Sequence, residues 1–118
     1  MFSEIVLRHF RDPHNVGELD VPNAVVEVSN PVCGDVMRLS IALDEGRISA
    51  ARFKTQGCVA SIAAGSVLTD LLLGKTPGEA QRISAEEISA ALGGLPPASF
   101  HAAQLCAAAL AALGARLY

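Results

Sequence analysis

Aromatic and charged residues are scarce in this sequence of 118 residues. It contains no tryptophan, one tyrosine and four phenylalanines, and only 18% of its residues are charged. Few aromatic side chains are available to stack on nucleic-acid bases. A net charge of −3 also gives no electrostatic attraction to a phosphate backbone or to an anionic membrane surface. We therefore expect no nucleic-acid partner.

Cysteine is scarce too, with three residues in the whole chain. An odd number does not suit a disulfide framework, and no apolar targeting segment is visible near the start, where Glu4 already carries a charge. These features indicate a reducing, cytoplasmic setting. The uncharged stretch from Pro97 to Ala115 is rich in alanine, which is only marginally favourable in a bilayer. We expect a buried helix there and no membrane span.

Apolar residues, in contrast, make up 51% of the chain, which is enough to bury one core. The length predicts a single domain covering residues 1–118. Short β-branched or alternating segments at residues 24–29, 36–43 and 48–56, the last two joined by a turn at 44–47, predict a three-stranded antiparallel sheet. Helices are predicted at residues 4–11 and 59–73, after the capping boxes that begin at Thr76 and Ser84, and from about Ser99 to the end. The expected fold class is α+β, with the sheet packed against a set of helices.

Four residues are candidate ligands of a metal ion or cluster. Cys33 and Asp35 fall in the loop between the first two strands, residues 30–35, where proline and glycine favour a tight turn. Cys58 is predicted at the N-terminus of the long helix, where the helix dipole favours a thiolate. His101 is predicted at the start of the last helix, where the dipole favours a neutral imidazole. Two thiolates, one imidazole and one carboxylate suit tetrahedral zinc and also suit an iron–sulfur cluster.

The two other histidines, His9 and His14, lie in or just after the first predicted helix. Neither has a second candidate ligand close in sequence. We therefore expect each to be a solvent-facing or capping residue.

Several motifs together resemble the IscU and NifU N-terminal family of iron–sulfur cluster assembly scaffolds. They are NPVCGDVM at residues 30–37, ARFKTQGC at residues 51–58, and Leu95-Pro96-Pro97 followed by His101. HNVG at residues 14–17 and the glycine-lysine pair at 74–75 agree in order and spacing. The resemblance implies an α+β fold that holds a nascent cluster, expected to be 2Fe–2S, or iron or zinc. It also implies a cysteine desulfurase as the source of sulfur and acceptor apo-proteins as recipients.

The sequence departs from the family at one ligand. The resemblance implies a cysteine directly after the C-terminal histidine, where this chain has Ala102. Cys106 follows one helical turn later, about 6 Å away at 1.5 Å per residue, which is too far for a metal–sulfur bond of about 2.3 Å unless the helix start unwinds. We expect Cys106 to pack in the core. Ala98 replaces the lysine that the family carries after Leu-Pro-Pro, so recognition by the dedicated chaperone is not expected.

Two functions remain open. The expected function is that of a scaffold or carrier, not an enzyme, which binds iron or a cluster through Cys33, Asp35, Cys58 and His101. The alternative is a zinc-binding protein of the same fold that acts in sulfur transfer, or a degenerate relative retained for partner binding.

Overall fold

The computed structural model describes residues 1–31 and 34–117, so Val32, Cys33 and Tyr118 lie outside the described residues. In the described part of the chain, helices and strands follow the order α1 (Glu4–Arg11), β1 (Ala24–Ser29), β2 (Val36–Asp44), β3 (Arg47–Gln56), α2 (Val59–Leu72), α3 (Pro77–Gln81), α4 (Ala85–Ala91), a short 3-10 helix (Pro97–Ser99) and α5 (His101–Leu117).

The three strands form one antiparallel sheet in the order β1-β2-β3, so the predicted α+β fold with a three-stranded sheet is confirmed. Glu45 and Gly46 both have left-handed backbone angles, with φ of 51° and 77°, which is the geometry of a tight hairpin turn. Val36 pairs with Gln56, so β2 begins where β3 ends. This register brings the loop before β2 next to the segment that leads into α2.

The core lies between one face of the sheet and the two long helices. Met37, Leu39 and Ile41 of β2 are fully buried, as their alternation predicts. Helix α2 packs on β3 and α5 packs on β1 and β2. A Cβ on Gly65 would lie 2.4 Å from the ring of Phe53, so the glycine is required for α2 to approach β3 this closely. The close approach fixes the position of the α2 N-terminus relative to the sheet.

One residue on the other face of the sheet differs from the prediction. The alternation along β2 predicts that Ser40 shares the solvent-facing side of the strand with Arg38. Ser40 is buried instead, and the backbone N–H of Leu19 donates to its hydroxyl at 3.2 Å. The loop between α1 and β1 therefore covers part of the outer face. The same loop continues to β3, where the N–H of Gly17 donates to the carbonyl of Phe53 at 2.9 Å.

The helix boundaries follow the local sequence closely. The predicted capping boxes at Thr76 and Ser84 are both present, and Ser3 caps α1. Helix α2 ends before Gly74, whose φ is 84°, and α5 begins at His101, two residues later than predicted because residues 97–99 form a 3-10 turn. His101 is thereby placed at the first position of the last helix.

Among the described residues, the segment Pro97–Leu117 is long and apolar enough to cross a membrane by length and composition alone, with a mean hydropathy of 1.4. In this fold it packs against β1, β2, α2, α3 and α4. Seven residues of α5 are buried by this packing: Ala102, Ala103, Leu105, Cys106, Ala109, Leu110 and Leu113. This is the placement of a core helix.

Candidate metal centre

Three of the four predicted ligands converge at one point of the fold. The Sγ of Cys58 lies 3.7 Å from Oδ2 of Asp35 and 3.7 Å from Nε2 of His101. The same Nε2 lies 3.7 Å from the same Oδ2. The three ligand atoms therefore form a nearly equilateral triangle, contributed by three separate segments: the residue before β2, the residue before α2 and the first residue of α5.

The carboxylate of Asp35 is the buried corner of this triangle, with its side chain 9% exposed. Its Oδ2 accepts a hydrogen bond from the hydroxyl of Ser61, in the first turn of α2. On the other side it lies against the backbone of Gly57, where an added Cβ would be 2.7 Å from Cγ of Asp35. A buried carboxylate needs such partners. Neither Ser61 nor Gly57 was identified from the sequence as a site residue.

Cys58 occupies the N-cap position of α2, but its side chain makes no capping hydrogen bond. Its thiol is exposed and lies 3.4 Å from the hydroxyl of Ser61. The first turn of α2 contains no acidic residue of its own. Asp35 supplies a negative charge there from another segment, and the positive end of the helix dipole stabilises that charge together with any thiolate on Cys58.

His101 is oriented by the segment directly before α5. The carbonyl of Ala98, in the 3-10 turn, lies 3.2 Å from its Nδ1 and accepts from the Nδ1–H tautomer. That tautomer leaves the lone pair of Nε2 facing Asp35 and Cys58. A backbone partner on the second ring nitrogen is the usual way in which a metal-ligating histidine is held. The Leu-Pro-Pro sequence thus places both the histidine and the group that orients it.

The three remaining positions considered as ligands are Cys33, Ala102 and Cys106. Cys33 lies outside the described residues. Cys106 is fully buried in α5, and burial raises the pKa of its thiol to about 12. Ala102, directly after His101, is also fully buried and provides no ligand atom. Among the described cysteines, only Cys58 presents its sulfur to the triangle.

The size of the triangle determines what it can bind. A tetrahedral ion with bonds of about 2.0–2.3 Å places its ligand atoms about 3.3–3.8 Å apart. Edges of 3.7 Å lie at the upper end of this range, so the triangle has about the size of one face of such a tetrahedron. The set combines a soft sulfur, an imidazole nitrogen and a hard oxygen, which suits zinc or iron better than magnesium or calcium.

A family model described as the NifU-like N terminal domain matches residues 1–116. The chain belongs to this family. The predicted resemblance is therefore confirmed over nearly the whole chain, and the triangle is a feature of a NifU-like N-terminal domain in which Ala102 stands after the C-terminal histidine.

Relatives of this NifU-like domain carry consistent names. The "Iron-sulfur cluster assembly scaffold protein IscU 1" of Archaeoglobus fulgidus is 43% identical over 110 residues, which cover 93% of this chain and 72% of that protein. The "Iron-sulfur cluster assembly scaffold protein IscU" of Escherichia coli (strain K12) is 43% identical over 115 residues, which cover 94% of this chain and 89% of that protein. A putative iron–sulfur cluster assembly scaffold protein for the SUF system from Fervidobacterium islandicum AW-1 shares the fold, with a TM-score of 0.77, 23% identity and 94% coverage of both chains.

Proposed function

We propose that this chain is an iron–sulfur cluster assembly scaffold, which holds iron or a nascent cluster as cargo and passes it to acceptor apo-proteins. The observation that carries the proposal is the triangle of Asp35, Cys58 and His101, with edges of 3.7 Å. In this proposal Cys33, two residues before Asp35, supplies the fourth ligand. The chain acts as one domain and as a carrier, not as an enzyme that turns over a substrate.

Cargo release follows from the chemistry and the origin of the ligands. A carboxylate oxygen is a hard ligand and holds soft iron less firmly than a thiolate does. The bond between iron and the Asp35 carboxylate is therefore the first to break when an acceptor offers its own thiolates. Because the three described ligands come from three different segments, displacement of one segment opens the site without unfolding the others.

Sulfur enters in this proposal through Cys58. Among the described residues it is the exposed thiol, whereas Cys106 is fully buried. The Cys58 thiolate attacks the outer sulfur of a persulfide on a cysteine desulfurase. The S–S bond of the desulfurase breaks, a new S–S bond forms on Cys58, and the desulfurase leaves as a thiolate, so this transfer consumes no oxidant or reductant. Each transferred sulfur then takes up two electrons from a reductant as it becomes the sulfide of the cluster. Position 102 is an alanine, so among the described residues Cys58 is the thiol available for this step.

The cargo proposed is a 2Fe–2S cluster, and the setting is the reducing cytoplasm. Ala98 in the place of the family's lysine favours release without the dedicated chaperone. The test is anaerobic incubation with ferrous iron, cysteine, a cysteine desulfurase and a thiol reductant, which reduces persulfide sulfur to sulfide, followed by desalting. We expect visible cluster absorption that moves to an added apo-ferredoxin. Absence of cluster absorption after desalting, in a protein that is still folded, would refute the scaffold role.

A specific observation also supports the zinc alternative. The 3.7 Å triangle is the size of one face around a single tetrahedral ion, and the chain lacks the family's third cysteine. A protein that is isolated with stoichiometric zinc, unfolds on chelation and fails to form a cluster would favour this function. A protein that releases zinc and then accepts iron and sulfide would favour the scaffold.

A further inference from the structure

A second group of metal-ligating side chains lies where α1, the following loop and the C-terminal half of α2 meet. The group consists of His9, His14 and Asp70, each of which offers one potential ligand atom. These three atoms lie within 4.8 Å of one another. The two imidazole rings are 4.8 Å apart between centroids and tilted by 55°. Nδ1 of His14 lies 2.6 Å from Oδ2 of Asp70. None of these residues belongs to the site around Cys58.

Hydrogen bonds from α2 hold this cluster in place. The buried hydroxyl of Ser66 accepts from the backbone N–H of His14 at 2.8 Å and lies 2.6 Å from Nδ1 of His9. The tautomer of His9 that donates from Nδ1 to Ser66 leaves the lone pair of Nε2 available. The side-chain amide of Asn15 donates to Oδ1 of Asp70 at 3.3 Å. Partners that orient ligands in this way accompany metal sites in proteins.

We propose that His9, His14 and Asp70 form a second metal site, free of thiolate, for a divalent first-row ion of the group from Fe²⁺ to Zn²⁺. Two imidazoles and one carboxylate are the protein ligands of several catalytic zinc sites and of non-haem iron(II) sites, where water completes the coordination. Asp70 and Cys58 are twelve residues apart on α2, about 18 Å at 1.5 Å per residue, so the two sites bind separate ions.

Binding requires rearrangement of the side chains. Bonds of about 2.0–2.2 Å place the ligand atoms of a tetrahedral ion about 3.3–3.6 Å apart. The 4.8 Å span of the cluster must therefore shorten, and the 2.6 Å distance between His14 and Asp70 must lengthen as their shared proton is released. The side chains of His14 and Asp70 are 51% and 40% exposed, so both can rotate toward an ion. Arg8 and Arg11 line the adjoining pocket of about 340 Å³ and oppose a cation. We therefore expect weaker binding here than at Cys58.

The two sites can be distinguished by cobalt(II), which reports thiolate ligation as an intense ultraviolet charge-transfer band and other tetrahedral or five-coordinate ligation as weaker visible bands. In the double variant Cys33→Ala/Cys58→Ala, which removes both proposed thiolate ligands, the charge-transfer band is lost, and we expect visible bands of one bound ion to remain. Adding Asp70→Asn or His14→Gln to that variant should abolish them. Asp12→Asn is the matched control, because Asp12 lines the same pocket but is not part of the cluster.

Zinc calorimetry on the full wild-type chain gives an independent count. We expect two ions per chain, reduced by one in Asp70→Asn and in His14→Gln and unchanged in Asp12→Asn, with circular dichroism confirming the fold of each variant. Equal zinc stoichiometry in wild type and both cluster variants would overturn the second site. Failure of the Cys58 site to hold a cluster would leave this count unaffected, so the two proposals fail separately.

Discussion

The carboxylate of Asp35 lies against the backbone of Gly57 so closely that a Cβ on Gly57 would be 2.7 Å from Cγ and 2.9 Å from Oδ2 of Asp35. The missing side chain at position 57 is therefore what allows this carboxylate to reach the ligand triangle. We predict that Gly57→Ala displaces Asp35, destabilises the fold by about 1–3 kcal/mol in urea unfolding, and lowers the iron retained after reconstitution.

A double-mutant cycle isolates this contact. The three nearest atoms to the added methyl group all belong to Asp35, so Gly57→Ala should cost much less in an Asp35→Ala background. Equal costs in the two backgrounds would show that the methyl group clashes with something other than the carboxylate.

Ser61 supports the same carboxylate from the first turn of α2. Its hydroxyl donates to Oδ2 of Asp35, a bond between a neutral donor and a charged acceptor. We predict that Ser61→Ala lowers the free energy of unfolding by about 1.5–3 kcal/mol and weakens zinc binding by roughly 10–100-fold. The matched control is Ser49→Ala, which removes an exposed hydroxyl 3.3 Å from the carbonyl of Ala42. A zinc affinity for Ser61→Ala equal to that of the control would contradict this role.

Ala102 is the position where the chain departs from its family. It is fully buried directly after His101. We predict that Ala102→Cys retains more iron and sulfide per chain after desalting than wild type, because it restores a thiolate next to the imidazole. Ala103→Cys is the matched control, since Ala103 is equally buried but one residue further along α5. Equal retention by the two variants would mean that the missing thiol does not limit the site.

Cys106 gives a prediction for the alkaline pH range. Burial raises the pKa of its thiol from 9.0 to about 12, so the folded state keeps the proton that the unfolded chain loses. The contribution of the Cys106 thiol to the free energy of unfolding is constant below pH 9. Above pH 9 the free energy of unfolding falls by about 1.4 kcal/mol per pH unit until about pH 12. We predict that the stability difference between wild type and Cys106→Ala shrinks as pH rises above 9. A difference independent of pH from 8 to 11 would contradict a buried, protonated thiol.

The sequence predicted the secondary structure well because the local signals agree with the packing. The alternation of β2, the hairpin turn and both capping boxes each depend on residues close in sequence. It also identified Asp35, Cys58 and His101 by ligand chemistry and by the family motifs. The structure places these three together.

What the sequence could not predict depends on contacts between distant segments. The burial of Ser40 requires the loop that carries Leu19, and the convergence of His14 with Asp70 joins residues 56 positions apart. The support that Ser61 gives to Asp35 spans 26 positions. A serine one turn after Cys58 was the available signal for that contact, but its partner became visible only in the fold.

The most direct test of the central claim is iron and sulfide per chain after anaerobic reconstitution and desalting, measured on wild type, Cys58→Ala, His101→Ala and Cys106→Ala. We predict that wild type and Cys106→Ala retain comparable amounts. Cys58→Ala and His101→Ala should retain little of either while keeping the same circular dichroism. Loss of iron and sulfide in folded Cys106→Ala, with full retention in Cys58→Ala, would contradict the assignment of the site to Asp35, Cys58 and His101.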